Sequence, residues 1–255
     1  MDKDQPDSRR QNGCILLAGP TASGKSALAI AIAEEFDGVI INADSMQVYD
    51  GLCVVPARPS AEEVASAPHR LYGVLDPADY CNAARWRDMA LVEIEAARSA
   101  GKLPILVGGT GLYFDILTKG IAEVPDISDE VRGRLREKDP KMAEKLNEGD
   151  SQRLLRALEV VEETGVPLGE WQKRAPTGDI LEGPRLWLAL TPDRDWLYER
   201  CDRRFDWMID EGGALEEVAE FLKRDLDPAL PAMKALGLPE LAAVLVGKMT
   251  ESAAR

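Results

Sequence analysis

The chain has 255 residues, 45% of them hydrophobic, with 45 Asp and Glu against 31 Lys and Arg and a formal net charge of −14. That size suits one large α/β domain with a smaller appendage, and the acidic balance argues against a nucleic-acid partner unless basic residues gather on one face. His69 is the only histidine, which argues against a His-based triad or a multi-His metal site; the four cysteines follow no C-x-x-C or ligand spacing and read as free thiols in a reducing cytosol.

Residues 1–12 are polar and mixed in charge, a flexible tail and not a signal peptide. No apolar run is long enough to span a membrane, so a cytoplasmic protein without a membrane partner is expected. Cys14 to Ala18 is an apolar strand that feeds Gly19, Pro20, Thr21, Ala22, Ser23, Gly24, Lys25 and Ser26, which fit G-x-x-x-x-G-K-[ST] at every position. Such a loop turns successive backbone N–H groups inward on phosphate oxygens. Lys25 adds a point charge, Ser26 a hydroxyl for Mg²⁺, and the following helix its positive end. The pattern says phosphate without saying which. Ala27 to Phe36 is apolar nearly all round and reads as a buried helix.

Val39 to Asn42 is a short β-branched strand of the continuous apolar kind found in parallel sheets. It delivers Asp44, Ser45, Met46 and Gln47 just past its end. Residues 50–81 are rich in Pro and Gly and read as loops and short elements. Asn82 caps a helix with Trp86, Ala90, Ile94 and Ala97 on one face, closed by Gly101. Leu103 to Val107 is a third strand, and the turn through Gly108, Gly109, Thr110 and Gly111 leads into a helix from Leu112. From 121 to 179 charged helical segments (129–139, 141–147, 151–164) replace the strands, as in a small inserted helical domain. Arg185 to Leu190 returns to strand, followed by a helix from Arg194 to about Glu211 and further helices over 214–224 and 231–246.

The expected fold is α/β: a P-loop NTPase-like core with a mostly parallel sheet flanked by helices, formed by 13–120 and 180–255, with the helical domain 121–179 inserted. In such sheets ligands bind beyond the carboxyl ends of the strands. The phosphate loop, Asp44-Ser45 and Gly109-Thr110 then converge on one crevice. A P-loop enzyme that hydrolyses nucleotides normally has an apolar strand ending in Asp to organise Mg²⁺ and water, whereas the third strand here runs into Gly108-Gly109-Thr110 with no acid. That leaves kinase-like small-molecule enzymes, or chemistry in which a diphosphate is the leaving group. Position alone leaves Asp44 open as a base, as a holder of substrate or metal, or as a helix N-cap.

Several stretches together resemble the tRNA dimethylallyltransferase family. They are Gly19 to Ser26, Asp44 to Tyr49, Ala57-Arg58-Pro59, Pro68-His69-Arg70, Leu106 to Tyr113 and Gln152 to Val160, extended by Gly213 to Val218 and Lys234 to Glu240. The match runs in unbroken order over about residues 14–246. The resemblance implies transfer of a dimethylallyl group from dimethylallyl diphosphate to N6 of the adenosine beside the anticodon of a tRNA, with Mg²⁺, on a P-loop core. It makes Asp44 the group that takes a proton from the adenine amine, with Thr110 at the substrate or its phosphates. The phosphate loop and Arg204 are implied to neutralise the diphosphate. Asp44, Ser45, Met46, Gln47, Thr110, Arg132, Gln152, Arg153, Leu154, Leu155 and Arg156 fall on the family's tRNA-contacting positions. The tRNA partner is the anticodon stem-loop, the adenine is expected to flip out of its stack, and the protein is expected to be a monomer. An ATP-binding label follows from the loop motif, but the resemblance replaces ATP by dimethylallyl diphosphate.

The chain departs from the family in three ways. Pro56 stands where Thr is usual, removing a hydroxyl and an N–H together; the inserted domain is short, running almost directly from Arg136 into Asp139-Pro140; and the sequence stops at Arg255, where relatives continue into a basic helix. Two other readings are carried beside the first, a P-loop small-molecule or nucleoside kinase and a non-catalytic tRNA-binding relative.

Overall fold

The computed structural model describes residues 13–120, 159–173 and 180–254. The chain divides into two compact units, one of residues 1–115 with 181–255 and one of 116–180.

In the first unit five strands form one sheet: β1 (Cys14–Ala18), β2 (Gly38–Asn42), β3 (His69–Arg70), β4 (Leu103–Gly108) and β5 (Arg185–Ala189), in the order β3-β2-β4-β1-β5. Every pairing is parallel, with Ile15 opposite Ile105, Ile40 opposite Ile105, and Leu16 opposite Trp187. Side chains alternate between the faces of a strand. Ile15, Leu17, Ile40, Ile105 and Val107 therefore share one face and pack on Ala29 and Ala33 of helix α1 (Lys25–Phe36). The opposite face is covered by α3 (Ala83–Ser99), which follows the short α2 (Ala61–Ser66) and buries Trp86, Ala90, Ile94 and Ala97 as its spacing predicts. Asn82 caps α3 by accepting from the Arg85 N–H at 2.8 Å. Helix α4 (Gly111–Lys119) leaves the end of β4.

After β5 the chain forms α6 (Arg194–Asp210), α7 (Ala214–Leu222), a short 3-10 helix (Pro231–Lys234), α8 (Leu238–Leu245) and α9 (Glu251–Ala254). These build a second core in which Met208, Val218, Phe221, Leu238 and Leu241 pack against Val48, Tyr49 and Leu52. In the second unit, residues 159–164 are helical and α5 (Leu168–Lys173) follows. The Thr164 hydroxyl accepts from Trp171 Nε1 at 3.1 Å. The expected helices at 129–139 and 141–147, and residues 151–158, lie outside the described residues.

Two expectations change. Helix α1 is not buried all round: only Ala29 and Ala33 are, while Ala27 and Ala31 are exposed. Small alanines on its outer side carry little apolar area, so the helix can lie on one face of the sheet with the other in water. The 50–81 stretch holds loops and short elements as expected, the edge strand β3 and the helix α2 with a capping box in which Ser60 and Glu63 satisfy each other's backbone N–H groups. The helix expected over 231–246 breaks at Ala235 to Gly237, where Gly237 takes φ 89° before Pro239 starts the next segment.

Gly108 sets the closest approach in the sheet, because a Cβ there would lie 2.0 Å from the Ala43 carbonyl oxygen. Gly108→Ala should force the ends of β2 and β4 apart and cost about 1–3 kcal/mol, lowering the thermal midpoint by roughly 2–10 °C. Gly111→Ala, where a Cβ meets nothing within 4 Å, should leave it unchanged in the same calorimetric scan.

Candidate active site

Because all strands are parallel, β1, β2, β4 and β5 end on the same edge of the sheet. The phosphate loop leaves β1, the Asp44 turn leaves β2, and the Gly109-Thr110 turn leaves β4, which lies between them. The loops touch at their roots: a Cβ on Gly109 would lie 3.2 Å from the Gly19 carbonyl oxygen. The sequence motifs thus meet at one place.

Within the loop Ala22 and Gly24 take left-handed conformations, φ 59° and 91°. That alternation turns neighbouring N–H groups to the concave side. Gly24 is the N-cap of α1 and offers no side chain to it, and no acidic residue sits in the first turn. The positive helix end is therefore left for an anion. Pro20, Thr21 and Ser26 are exposed, the Ser23 Oγ is buried without a hydrogen-bond partner, and the Lys25 ammonium donates to the Pro20 carbonyl.

Asp44 is placed by its neighbour Asn42, a fully buried polar side chain. Asn42 Oδ1 accepts from the Asp44 N–H at 2.8 Å, and its Nδ2 donates to the Asp44 and Leu71 carbonyls, both at 3.0 Å. The Asn42 carbonyl accepts from Trp86 Nε1 at 2.9 Å. Asp44 Oδ1 in turn accepts from the Met46 N–H at 2.9 Å and the Gln47 N–H at 3.4 Å. No helix follows Asp44, so it is not a helix N-cap; Oδ1 instead closes the turn over residues 45–48, and among the described residues Oδ2 has no hydrogen-bond partner. Ser45 and Met46 are half-buried in the same turn. Gln47 Nε2 donates to the Pro56 and Ala57 carbonyls at 2.8 and 2.9 Å, so this side chain ties the next loop to the Asp44 turn.

Charge connects the three turns. Burial lowers the Lys25 ammonium below the usual lysine range, the Asp44 carboxylate works against that, and Arg204 adds to it. Arg204, half-buried on α6, is lowered by burial and by Arg200, with Cys201 and Asp44 acting the other way. Tyr72 and Tyr113 lie within reach of the same carboxylate: burial and then Asp44 raise the Tyr72 phenol, while burial, then Cys81 and Tyr49, and last Asp44 raise that of Tyr113, both beyond the ordinary range. Tyr113 stacks on Trp86 at 4.0 Å between ring centroids. The site is one carboxylate and two cations with aromatic walls beside a phosphate cradle. Thr110 is half-buried at the turn and its carbonyl accepts from the Tyr113 N–H at 3.0 Å.

Arg132, Gln152, Arg153, Leu154, Leu155 and Arg156 lie outside the described residues. Three further residues had no signal strong enough to find from sequence. Asn42 reads there as the last residue of a strand. Glu217 of α7 accepts from the N–H groups of Cys53, Val54 and Val55 at 2.5–3.0 Å, fastening the loop that Gln47 also holds. Arg200 of α6 donates to the Ala22 carbonyl at 2.8 Å. Glu217 and Arg200 act across long stretches of chain, and Asn42 joins its near neighbour Asp44 to the distant Leu71, beyond any local pattern.

A family model described as IPP transferase matches residues 47–255. The tRNA dimethylallyltransferase of Rhodospirillum centenum is 48% identical over 256 residues, covering 94% of this chain and 81% of the relative. That of Paramagnetospirillum magneticum is 50% identical over 250 residues, covering 92% and 79%. Among solved structures, a tRNA delta(2)-isopentenylpyrophosphate transferase from Staphylococcus epidermidis superposes with a TM-score of 0.67 at 30% identity, covering 95% of this chain and 83% of that one. A eukaryotic dimethylallyltransferase acting on tRNA gives 0.74 at 27%, covering 93% and 64%. No helix among the described residues is long and apolar enough to cross a membrane.

Removing the Asn42 amide should unseat Asp44. Asn42→Leu keeps the branched shape but leaves the Asp44 N–H and two carbonyls unpaired in a buried site, at a cost of about 1–3 kcal/mol. Urea unfolding should show that loss as a lower midpoint at unchanged slope.

Proposed function

The chain belongs to the IPP transferase family, and from that premise we propose that it transfers the dimethylallyl group of dimethylallyl diphosphate to N6 of the adenosine beside the anticodon of a tRNA, releasing diphosphate. It is a tRNA-modifying transferase. The observation that carries this reading is that the phosphate loop and the Asp44 turn leave the same edge of one parallel sheet on either side of β4, with the Asp44 carboxylate acting on both Lys25 and Arg204. A hydrolase would need an acid where β4 runs into Gly109-Thr110. A prenyl transfer needs what is there: cations for a leaving diphosphate and a carboxylate for a proton.

In the proposed reaction the adenine N6 nitrogen forms a bond to the allylic carbon while the bond from that carbon to the diphosphate oxygen breaks. The departing diphosphate takes the electron pair, and Asp44 takes the proton released from the amine. An exocyclic amine is a poor nucleophile, so stabilising the leaving group carries much of the acceleration. The loop N–H groups, the open end of α1, Lys25 and Arg204 all act there. Fixing Oδ1 on the Met46 and Gln47 N–H groups leaves Oδ2 as the oxygen for the proton. Thr110 borders the substrate at the Gly109 turn. The flipped adenine would lie by the Tyr72 and Tyr113 walls.

Mg²⁺ is part of the proposal. Among the described residues no group of three His, Cys, Asp or Glu side chains could hold a metal by itself. The exposed Ser26 hydroxyl at the start of α1 would be the protein group that holds the ion, with the rest of its ligands left to water and substrate phosphates. The ion would neutralise negative charge on the diphosphate. The tRNA anticodon stem-loop would lie along the Asp44 to Gln47 turn and Thr110, with Arg132 and Gln152 to Arg156 as its further contacts. The monomeric state and a cytoplasmic location complete the reading.

The test is incubation of the full chain with tRNA, Mg²⁺ and dimethylallyl diphosphate labelled in the dimethylallyl carbons. Label should enter the tRNA, and Asp44→Ala should slow this by about 10²–10⁴-fold, the usual worth of a positioned base. Folded protein that binds tRNA but transfers no label would mean a non-catalytic relative, and phosphate transfer from ATP to a small molecule would mean a kinase. In a filter-binding titration, tRNA affinity should fall steeply as salt rises, as it does for a basic surface on phosphates; a flat response would contradict the assigned contacts.

A further inference from the structure

Arg200 lies one helical turn before Arg204 on α6, so the two share a face of that helix. The root of α6 is tied to the phosphate loop before either arginine is reached. The Leu190 N–H, just past β5, donates to the Ala18 carbonyl at 2.9 Å, and Leu190 packs so close to Gly19 that a Cβ there would meet its carbonyl at 3.2 Å. From there Arg200 reaches across and its Nε donates to the Ala22 carbonyl at 2.8 Å. The guanidinium also lies over the Trp196 ring, 4.7 Å from its centroid, which limits the rotamers it can visit.

Ala22 is the non-glycine residue of the loop with positive φ, 59°. In a loop that turns its N–H groups inward, a carbonyl turned outward must find a donor or water. Arg200 is that donor for Ala22. The side chain is exposed and does not itself belong to the cradle.

We propose that Arg200 is a positioning residue for diphosphate recognition: by holding the Ala22 carbonyl it fixes the loop with its N–H groups inward, and it binds the helix that carries Arg204 to the same loop. The inference rests on the proposed function, in which this loop receives the diphosphate of the prenyl donor. Trp196 serves as the platform that holds the guanidinium in place. A second cation one turn from Arg204 also disfavours charge on Arg204, which raises the demand for an anion between α6 and the loop.

The test titrates inorganic diphosphate with Mg²⁺ into the full chain by calorimetry, using wild type, Arg200→Ala, Arg200→Lys and Trp196→Ala. Loss of one charge-assisted hydrogen bond predicts a diphosphate Kd about tenfold weaker for Arg200→Ala. Arg200→Lys should recover part of the loss, and Trp196→Ala should shift Kd the same way by less. In the transfer assay the KM for dimethylallyl diphosphate should rise in parallel while the KM for tRNA stays put. Equal Kd for wild type and Arg200→Ala, or a change in the tRNA KM alone, would overturn the inference and leave the proposed function standing. A wild-type chain that neither binds diphosphate nor modifies tRNA would overturn both.

Discussion

The Asn42 side chain is fully buried, and every polar atom it owns is matched: its oxygen to the Asp44 N–H, its nitrogen to the Asp44 and Leu71 carbonyls. A buried amide is tolerated only when its hydrogen bonds are complete. That requirement fixes the exit of β2 and the start of the chain after β3, while the Asn42 main-chain carbonyl, accepting from Trp86 Nε1, holds the first turn of α3. Asp44 inherits its position from this knot. The crowded contact of Gly108 with Ala43 then brings β4 up against the same corner, so the Gly109-Thr110 turn lies between the carboxylate and the phosphate loop. The geometry of the candidate site is a by-product of how the strands pack.

Electrostatics follows from that placement. Lys25 and Arg204 are half-buried, Arg204 disfavours the charge on Lys25, and one carboxylate offsets both cations. Such a site has a net demand for negative charge while the chain as a whole carries −14. The demand is local, and a diphosphate meets it more fully than a single carboxylate does. In the proposed function Asp44 has two tasks, to offset these cations and to take the proton of the adenine amine.

What could be read from sequence was whatever is carried by contiguous residues. The phosphate loop, the Asp44 turn, the Gly108 to Gly111 turn and the cap at Asn82 each announce themselves within eight residues, and the structure brings the first three together as parallel topology demands. The two-residue strand β3 was invisible because it has no period of its own; it exists through its pairing with Ile40 and Ile41. The exposed side of α1 was misjudged because alanine counts as apolar yet loses little by meeting water. Glu217 and Arg200 lie 164 and 178 residues from the loops they hold. No window of sequence contains both ends of such a contact. In each the side chain is an ordinary charged residue on a helix, and only the fold gives it a task.

The central claim is that one crevice couples loss of diphosphate to formation of a bond at the adenine amine. The most direct measurement follows both products in one reaction: diphosphate released, and prenylated adenosine recovered after digestion of the tRNA to nucleosides. The account predicts one diphosphate for each modified adenosine, and release of diphosphate only when tRNA is present. Diphosphate set free without tRNA, or in large excess over modified adenosine, would contradict it, because the crevice would then be discharging its donor to water.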